Sequence, residues 1–590
     1  MVLAVVLLAA AATLPGAFGG PALGDHETLV VQCARNMRLS GDWIVPRFLD
    51  VPWTRKPPLP YWIVAGVSYL FPNEPHTGLP VPPAAGRFVS GLAGLGTILL
   101  LWKMAAVMFG RRAGVIAAVI SSSSLLFFKY SPDATVEMPL TFCCVWAYLH
   151  FWLAVTARRS GRRILHLALF YLALGVGMMV KGPAPVAMVG LPLAVWWYLH
   201  RPLRILAWRG PGAWKQAAWN GLRGWWPRTR RAFSRLWLIP GLLLFAAVFV
   251  PWTVAAARRA PQAALEWRWQ YFMRAKGDYL DSQDRPVWYY LPLVAGLTLP
   301  WLFLLPEAVA APWLKRYRRL HGPLLYCGLW TLTAVAVMSL EPFKKPYYIV
   351  PALPGLLLMM AAVADRFYGS AVGFRTVHWL CWGAGVVVVG AGAVAGTLWV
   401  RQVYPEVSFQ LSAVLAGVGV LAAAAAAVHL RGRPWTAMGL LAGGAVAAFH
   451  VVWFSAGHAF DSLERVEALA AALDRAGVPP DARVLWADGR PDARLDYYFA
   501  RKSAYMIRPD ELLDVQDRKQ DKFLIQMRVL KRAGDLLAGT EPVFLIWERG
   551  NYRNALNNSP IGGRIIAAVP RGEERKDWVV VTNAAVAAAG

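Results

Sequence analysis

Residues 237–257 read "WLIPGLLLFAAVFVPWTVAAA", twenty-one positions without a charge. A helix of that length spans about 30 Å, the thickness of a bilayer's hydrocarbon core, where an open backbone would find no water to bond. The stretch is read as a transmembrane helix. Just before it, residues 201–235 carry nine Lys or Arg interleaved with Trp208, Trp214, Trp219, Trp225 and Trp226. Such a mixture binds nucleic acid in some soluble proteins, but beside a span the favoured reading is a segment lying on the anionic inner leaflet.

Working outward, comparable apolar runs recur through the first 456 positions. They fall at 2–23, 84–108, 112–130, 137–156, 164–180, 183–199, 237–257, 287–307, 322–339, 347–363, 377–399, 410–429 and 436–456. The runs 164–180 and 183–199 are also readable as one bent hairpin. The first run, "VLAVVLLAAAATLPGAFGG", is alternatively a secretory signal ending near "AFGG". It lacks a basic n-region and is read as a retained span; a start codon placed too late is a further reading. At 57% hydrophobic and 16% charged over 590 residues, the chain is too apolar for a soluble protein.

The net charge of +27 would suggest nucleic acid as a partner if it were spread over a soluble surface. Its placement argues for a membrane instead. With the N-terminus cytoplasmic, the inner connections hold 23 basic residues and the short outer ones hold five, Lys129, Lys181, Lys344, Lys345 and Arg401. That asymmetry is the positive-inside pattern of a plasma membrane protein, with the C-terminal residues outside. The five cysteines show no C-x-x-C spacing, so neither a disulfide framework nor a cysteine metal site is expected.

Three parts follow. Residues 1–456 form the membrane domain, with a first outer loop at 24–83, a basic cytoplasmic loop at 200–236 and a second outer loop at 258–286. Residues 457–590 hold 19 of the chain's 34 carboxylates. They alternate helical periodicity ("DSLERVEALAAALDRAG", "FLIQMRVLKRAGDLLAG") with β-rich runs ("ARVLWAD", "PVFLIWE", "GRIIAAV", "DWVVVTN"). This predicts a small extracytoplasmic α/β domain. It has no glycine-rich phosphate fingerprint and no Cys/His cluster, and no chemistry is assigned to it.

On the outer face, ionisable side chains beside the bilayer are the candidates for chemistry, because they are costly there unless solvated, paired or used. Asp25 and Glu27 follow the first run, and Glu137 opens the fourth. The bland reading of Asp25 is an N-cap for "HETLVVQCARNMRL". The outer cations are more telling, since Arg55 and Lys56 in "TRKPPL", Lys181 in "VKGPAP", and Lys344 and Lys345 in "PFKKPYY" all stand near proline. Singly, each is a residue snorkelling to headgroups. Together they suit a phosphate, bound by charge-assisted hydrogen bonds from loops that lose little entropy on ordering.

The stretch "GDHETLVVQCARNMRLSGDWIVPRFLDVPWTRKPPLPYW" resembles the first outer loop of the aminoarabinose lipid A transferase group. That group is related to the protein O-mannosyltransferases, within the GT-C class of integral membrane glycosyltransferases. The resemblance continues through "AAGRFVSGLAGL", "FGRRAG", "DATVEMPLTF", "VKGPAP", "RPVWYYLPLVAGLTLPW" and "KKPYYIVPALPGLLLMMAA". It implies a GT-C fold of about thirteen spans with an outer α/β domain. It further implies transfer of a sugar from a polyprenyl-phosphate donor to an envelope lipid, glycan or protein. Asp25 would be the key acid with Glu27 its partner, and Glu137 would be a second acid where relatives usually carry Asp. Lys56, with Lys344 or Lys345, would contact the donor phosphate, assisted by Arg55. Arg87, which matches a recurring arginine near the start of the second span, would be a further donor-phosphate ligand. Relatives carry Glu where this chain has Arg55, which leaves any divalent metal open, and no tightly bound organic cofactor is expected. The expected location is the bacterial inner membrane. The competing class is a transporter or flippase for lipids or lipid-linked sugars, which would place ionisable residues at the midplane and show internal repeats. A membrane-anchored scaffold is the third.

Overall fold

A computed structural model describes residues 2–75, 77–209, 211–268, 285–369, 398, 401–402, 407–456, 463–487, 491–508, 511, 522–558, 562–571 and 574–583. The chain divides into two compact units, Met1–Pro21 with Arg87–Pro251 and Asp284–Ala459, and Ala22–Gly86 with Trp252–Gln283 and Phe460–Gly590.

The first unit is a helical bundle, and the chain is a polytopic membrane protein. Among the described residues, eight helices are long and apolar enough to cross a membrane: Pro83–Phe109, Glu137–Thr156, Ser160–Lys181, Leu238–Arg259, Lys315–Leu340, Pro346–Arg366, Ser408–His429 and Trp435–Ser455. A ninth is available if the pair Val287–Leu297 and Trp301–Trp313, bent by 113°, counts as one span. The expected run 377–399 lies outside the described residues. Three other expected spans are altered. The first run folds as a shorter helix, Val2–Phe18. The run 112–130 is broken into Arg111–Ser122 and Leu125–Tyr130 at its serine cluster, where two of the four serines turn their hydroxyls on their own backbone, Ser123 on Val119 O at 2.6 Å and Ser124 on Ser121 O at 3.0 Å. The run 183–199 opens as a π-turn, Val186–Gly190, and continues as a helix to Arg209. It is separated from Ser160–Lys181 by Gly182 at φ +60°, so the two are distinct helices.

The basic stretch 200–236 is not a loop. It folds as the end of Leu191–Arg209 and the helices Trp214–Arg223 and Trp225–Arg235. The Pro346–Arg366 span is 89% buried and forms the centre of the bundle, whereas Leu238–Arg259 is 11% buried, as expected of an apolar helix bathed in lipid. Close packing near the N-terminus depends on Gly91, where an added Cβ would stand 2.7 Å from the Thr13 carbonyl oxygen.

The second unit joins the first outer stretch to the C-terminal residues. It begins with the Asp25–Ser40 helix, a two-stranded hairpin of β1 (Arg47–Phe48) and β2 (Val51–Pro52), and the Leu59–Val67 helix. Gln262–Arg268 also belongs to it. Its sheet comprises β3 (Val484–Trp486), β4 (Ser503–Tyr505), β5 (Phe544–Glu548), β6 (Arg564–Val569) and β7 (Trp578–Thr582), ordered β4-β3-β5-β7-β6. β3 pairs in parallel with β4 and β5, and β7 pairs antiparallel with β5 and β6. Alternation along β5 explains the layering. Phe544 and Ile546 enter one core with Leu469, Leu473 and Leu495, while Leu545 and Trp547 enter another with Ala533, Leu537 and Tyr552. Helices Leu463–Arg475 and Lys522–Ala538 supply those cores, as the periodicity predicted.

Candidate functional site

The candidate residues fall into two groups, one in each unit. In the second unit the Asp25–Ser40 helix presents its first turn. Gly24, not Asp25, is the N-cap, and the Gly24 N–H donates to Glu27 Oε2 at 2.8 Å, so Glu27 closes the capping box. The N-cap reading of Asp25 is thereby corrected. Asp25 occupies the first helical position, is exposed, and lines a cleft of ≈ 280 Å³ with Trp486, Asp492, Arg494, Glu548, Arg571 and other residues. The order β4-β3-β5 reverses direction at β3 and β5, and the cleft lies at their carboxyl ends, the usual ligand crevice of a parallel α/β sheet. Arg571 pairs with Glu548 at 2.8 Å and Arg494 with Asp492 at 2.6 Å, which fixes its charged rim.

Three ties hold the Asp25 helix to the Ala493–Phe499 helix that follows Asp492. Gln32 Nε2 donates to Asp496 Oδ1 at 2.5 Å, Arg35 donates to the Tyr497 carbonyl at 3.2 Å, and the Leu23 N–H donates to Tyr498 Oη at 2.9 Å. Burial raises the Asp496 carboxyl above its ordinary value, opposed by the Gln32 hydrogen bond and the Arg35 charge. Burial also lowers the Arg35 guanidinium.

Arg55 and Lys56 follow the hairpin, which Asn36 pins by donating to the Arg47 and Leu49 carbonyls. Sequence reading missed Glu266, although it is among the scarce carboxylates before 457. It is buried, lies 3.8 Å from Arg55 Nε, and accepts from Thr54 Oγ1 at 2.5 Å. Arg55 also stacks 5.1 Å from the Trp53 ring centroid. Arg55 is thus held by Glu266 and orders the loop that carries Lys56.

In the first unit, Glu137 begins its helix and accepts from Lys181 Nζ at 2.6 Å, with both side chains largely buried. Lys181 in turn lies 5.3 and 5.0 Å from the ring centroids of Tyr347 and Tyr348. Those rings come from Pro346–Ala352, a 3-10 turn packed against the Glu137 helix. Lys344 precedes them. It is 5% exposed, and among the described residues its ammonium has no hydrogen-bond or ion-pair partner. Lys345 is half-buried, 5.1 Å from the Phe343 ring centroid, and its carbonyl accepts from Tyr290 Oη. Arg87 is buried and donates to the carbonyls of Pro21 at 2.8 Å and Gly19 at 3.3 Å. That geometry makes it a clamp on the N-terminal segment. Among the described residues no three His, Cys, Asp or Glu side chains come together as a metal site. The four described cysteines are buried and form no disulfide among the described residues.

Comparison over the whole chain settles the architecture. The structure superimposes on that of ArnT from Cupriavidus metallidurans bound to undecaprenyl phosphate with a TM-score of 0.72, at 21% identity, covering 100% of this chain and 98% of that one. The chain has the GT-C fold. The apo structure of the same Cupriavidus protein gives a TM-score of 0.71 at 20% identity, covering 99% and 97%. A family model described as dolichyl-phosphate-mannose-protein mannosyltransferase matches residues 55–218. The undecaprenyl phosphate-alpha-4-amino-4-deoxy-L-arabinose arabinosyl transferase of Pseudomonas aeruginosa (strain LESB58) is 29% identical over 404 residues, 68% of this chain and 66% of that one. A Sodalis glossinidius protein of that name, numbered 2, is 30% identical over 374 residues, 62% and 60% respectively. The match therefore spans just under two thirds of these relatives' own length. This GT-C chain resembles the aminoarabinose transferase and protein mannosyltransferase families, as its motifs implied.

Proposed function

We propose that this chain is a membrane glycosyltransferase that moves a sugar from a polyprenyl-phosphate donor to an envelope acceptor. The observation that carries the reading is Lys344, whose side chain is packed away while its ammonium makes no hydrogen bond or ion pair among the described residues. A cation whose stem is fixed by packing and whose tip is not neutralised by the protein is placed to make a charge-assisted hydrogen bond to an anionic ligand. Lys181, the neighbouring basic group, is already neutralised by Glu137. A polyprenyl phosphate supplies the missing anion, and the named relatives, with the Cupriavidus structure's bound lipid, support that choice.

Breaking the glycosyl–phosphate bond builds negative charge on the departing oxygen, and a fixed ammonium stabilises that transition state more than the ground state. Lys344 takes this role, with Lys345 assisting. Asp25, exposed in a cleft with tryptophan faces and a charged rim, is the base or anchor for the acceptor. Glu27 and Glu137 act through position, the first by capping the Asp25 helix and the second by holding Lys181. The active face is extracytoplasmic, since this puts the 23 basic residues inside. Glu137 and Lys181 stand at the ends of their helices, which favours an enzyme over a transporter.

The test uses the full chain in neutral detergent with added undecaprenyl phosphate, read by native mass spectrometry. Wild type should retain the lipid and Lys344→Met should retain at least tenfold less. Asp25→Asn should retain it fully yet fail to restore the envelope product lost from a deletion strain. Equal retention by wild type and Lys344→Met defeats the donor assignment, and full restoration by Asp25→Asn defeats the acceptor one.

A further inference from the structure

A second charged cavity lies within the first unit, far from Glu137. The Glu137–Thr156 helix has 20 residues and so runs about 30 Å, one bilayer core, from Glu137 to its other end. At that other end a cleft of ≈ 290 Å³ is lined by Arg163, Arg201, Arg228, Arg231, Arg235 and Trp196, among others. No carboxylate lines it, and among the described residues none of the five guanidinium groups makes an ion pair.

The cleft is built rather than incidental. Arg228 is 6% exposed and donates to the carbonyls of Tyr198, Gly221 and Asn220 at 3.0, 3.3 and 2.7 Å. Its Nε–H is left without a partner. So is the indole N–H of Trp196, which is 9% exposed. Buried donors are rarely orphaned, and two lining one cationic cleft call for an acceptor. The walls are fastened to each other, since Trp197 Nε1 donates to the Arg228 carbonyl at 3.1 Å and Tyr198 Oη bonds Thr229 Oγ1 at 2.9 Å. A segment merely resting on an anionic leaflet would display its cations outward and would have no reason to bury Arg228.

The surroundings say where the acceptor comes from. Trp219, Leu222, Trp225, Trp226 and Phe233, on the surface helices beside the cleft, are each more than half exposed. Large aromatic and aliphatic side chains beside basic ones are the signature of helices seated at a membrane–water boundary. We propose that this cleft binds the phosphate of an anionic phospholipid headgroup, at the membrane boundary opposite the Glu137–Lys181 pair. Phosphate oxygens would accept from Arg228 Nε and Trp196 Nε1 and be neutralised by the exposed Arg201 and Arg231. Free phosphate shares that chemistry but brings no acyl chains to cover the exposed aromatic side chains.

The site is tested with the full chain in neutral detergent by thermal melting. Added phosphatidylglycerol should raise Tm, while phosphatidylcholine and inorganic phosphate should not. The Arg201→Gln/Arg231→Gln variant, altered only at exposed positions, should melt like wild type without lipid and lose most of the phosphatidylglycerol shift, its half-saturating concentration rising at least tenfold. Arg223→Gln/Arg230→Gln, which removes two exposed charges from the Trp214–Arg223 and Trp225–Arg235 helices outside the cleft, should keep the shift. An equal loss in both double variants would mean diffuse attraction to an anionic surface and would overturn the site. A shift of the same size with inorganic phosphate would overturn the lipid assignment.

Discussion

The Glu137–Lys181 pair offers the most direct check on the proposed division of labour among the cations. The charged atoms lie 2.6 Å apart, and the side chains are 6% and 16% exposed. At an effective dielectric of about 20 their attraction is about 6 kcal/mol, most of it offset by the loss of hydration. The net worth of the pair is therefore small, but deleting one partner strands the other as a buried charge, at about 3–5 kcal/mol. Glu137→Gln and Lys181→Met should each be strongly destabilising. The double variant, with nothing left to neutralise, should lose about 1 kcal/mol. The coupling energy is then at least about 5 kcal/mol, well beyond the scatter of independent sites. The assay is the apparent Tm of the four full-length proteins in one detergent at one scan rate, since polytopic proteins often unfold irreversibly. Both singles should melt well below the double. If the two single losses simply add, the pair is not a coupled ion pair, and Lys181 regains its place as a rival to Lys344 for the donor phosphate.

Two further expectations concern stability. Because burial raises the Asp496 carboxyl, its protonated form favours the fold. The stability it contributes is present below its unfolded value, about 4, and lost as pH rises through the folded one. Asp496→Asn should therefore gain on wild type between pH 4 and pH 7 in thermal melts, and a difference that stays flat with pH contradicts the assignment. Gly91→Ala would push a methyl to 2.7 Å from the Thr13 carbonyl oxygen and 3.3 Å from Leu14 Cδ2, at about 1–3 kcal/mol. Gly161→Ala, with nothing within 4 Å, should melt at or above wild type, and equal behaviour of the two would refute the packing account.

What was legible in the sequence follows physical range. Long apolar runs and period-two strands report local burial, so the eight spans and four of the five sheet strands could be read directly. β4 is only three residues long, and the nine-residue Leu59–Val67 helix is too short to register as a span. Charge masked structure at 214–235, where two amphipathic helices read as a loop. Ser121–Ser124 did announce a break that the apolar count ignored. Partnerships across the chain were out of reach: Lys181 is 44 residues from Glu137, and Glu266 lies more than 200 from Arg55. The proline-flanked lysines drew attention to these loops, but only packing separates a Lys181 neutralised by Glu137 from a Lys344 that has no partner among the described residues.

The cleft beside Asp25 is assembled from residues far apart in the chain, since its lining runs from Asp25 to Trp578. During synthesis Trp578 must leave the ribosome before that crevice can exist. A nonsense mutation shortly before Trp578 would yield a protein that inserts with every span in place yet offers its acceptor no seat. Abundance in the bilayer is consequently no proxy for competence, and an epitope tag at the amino terminus would count such dead molecules as whole ones.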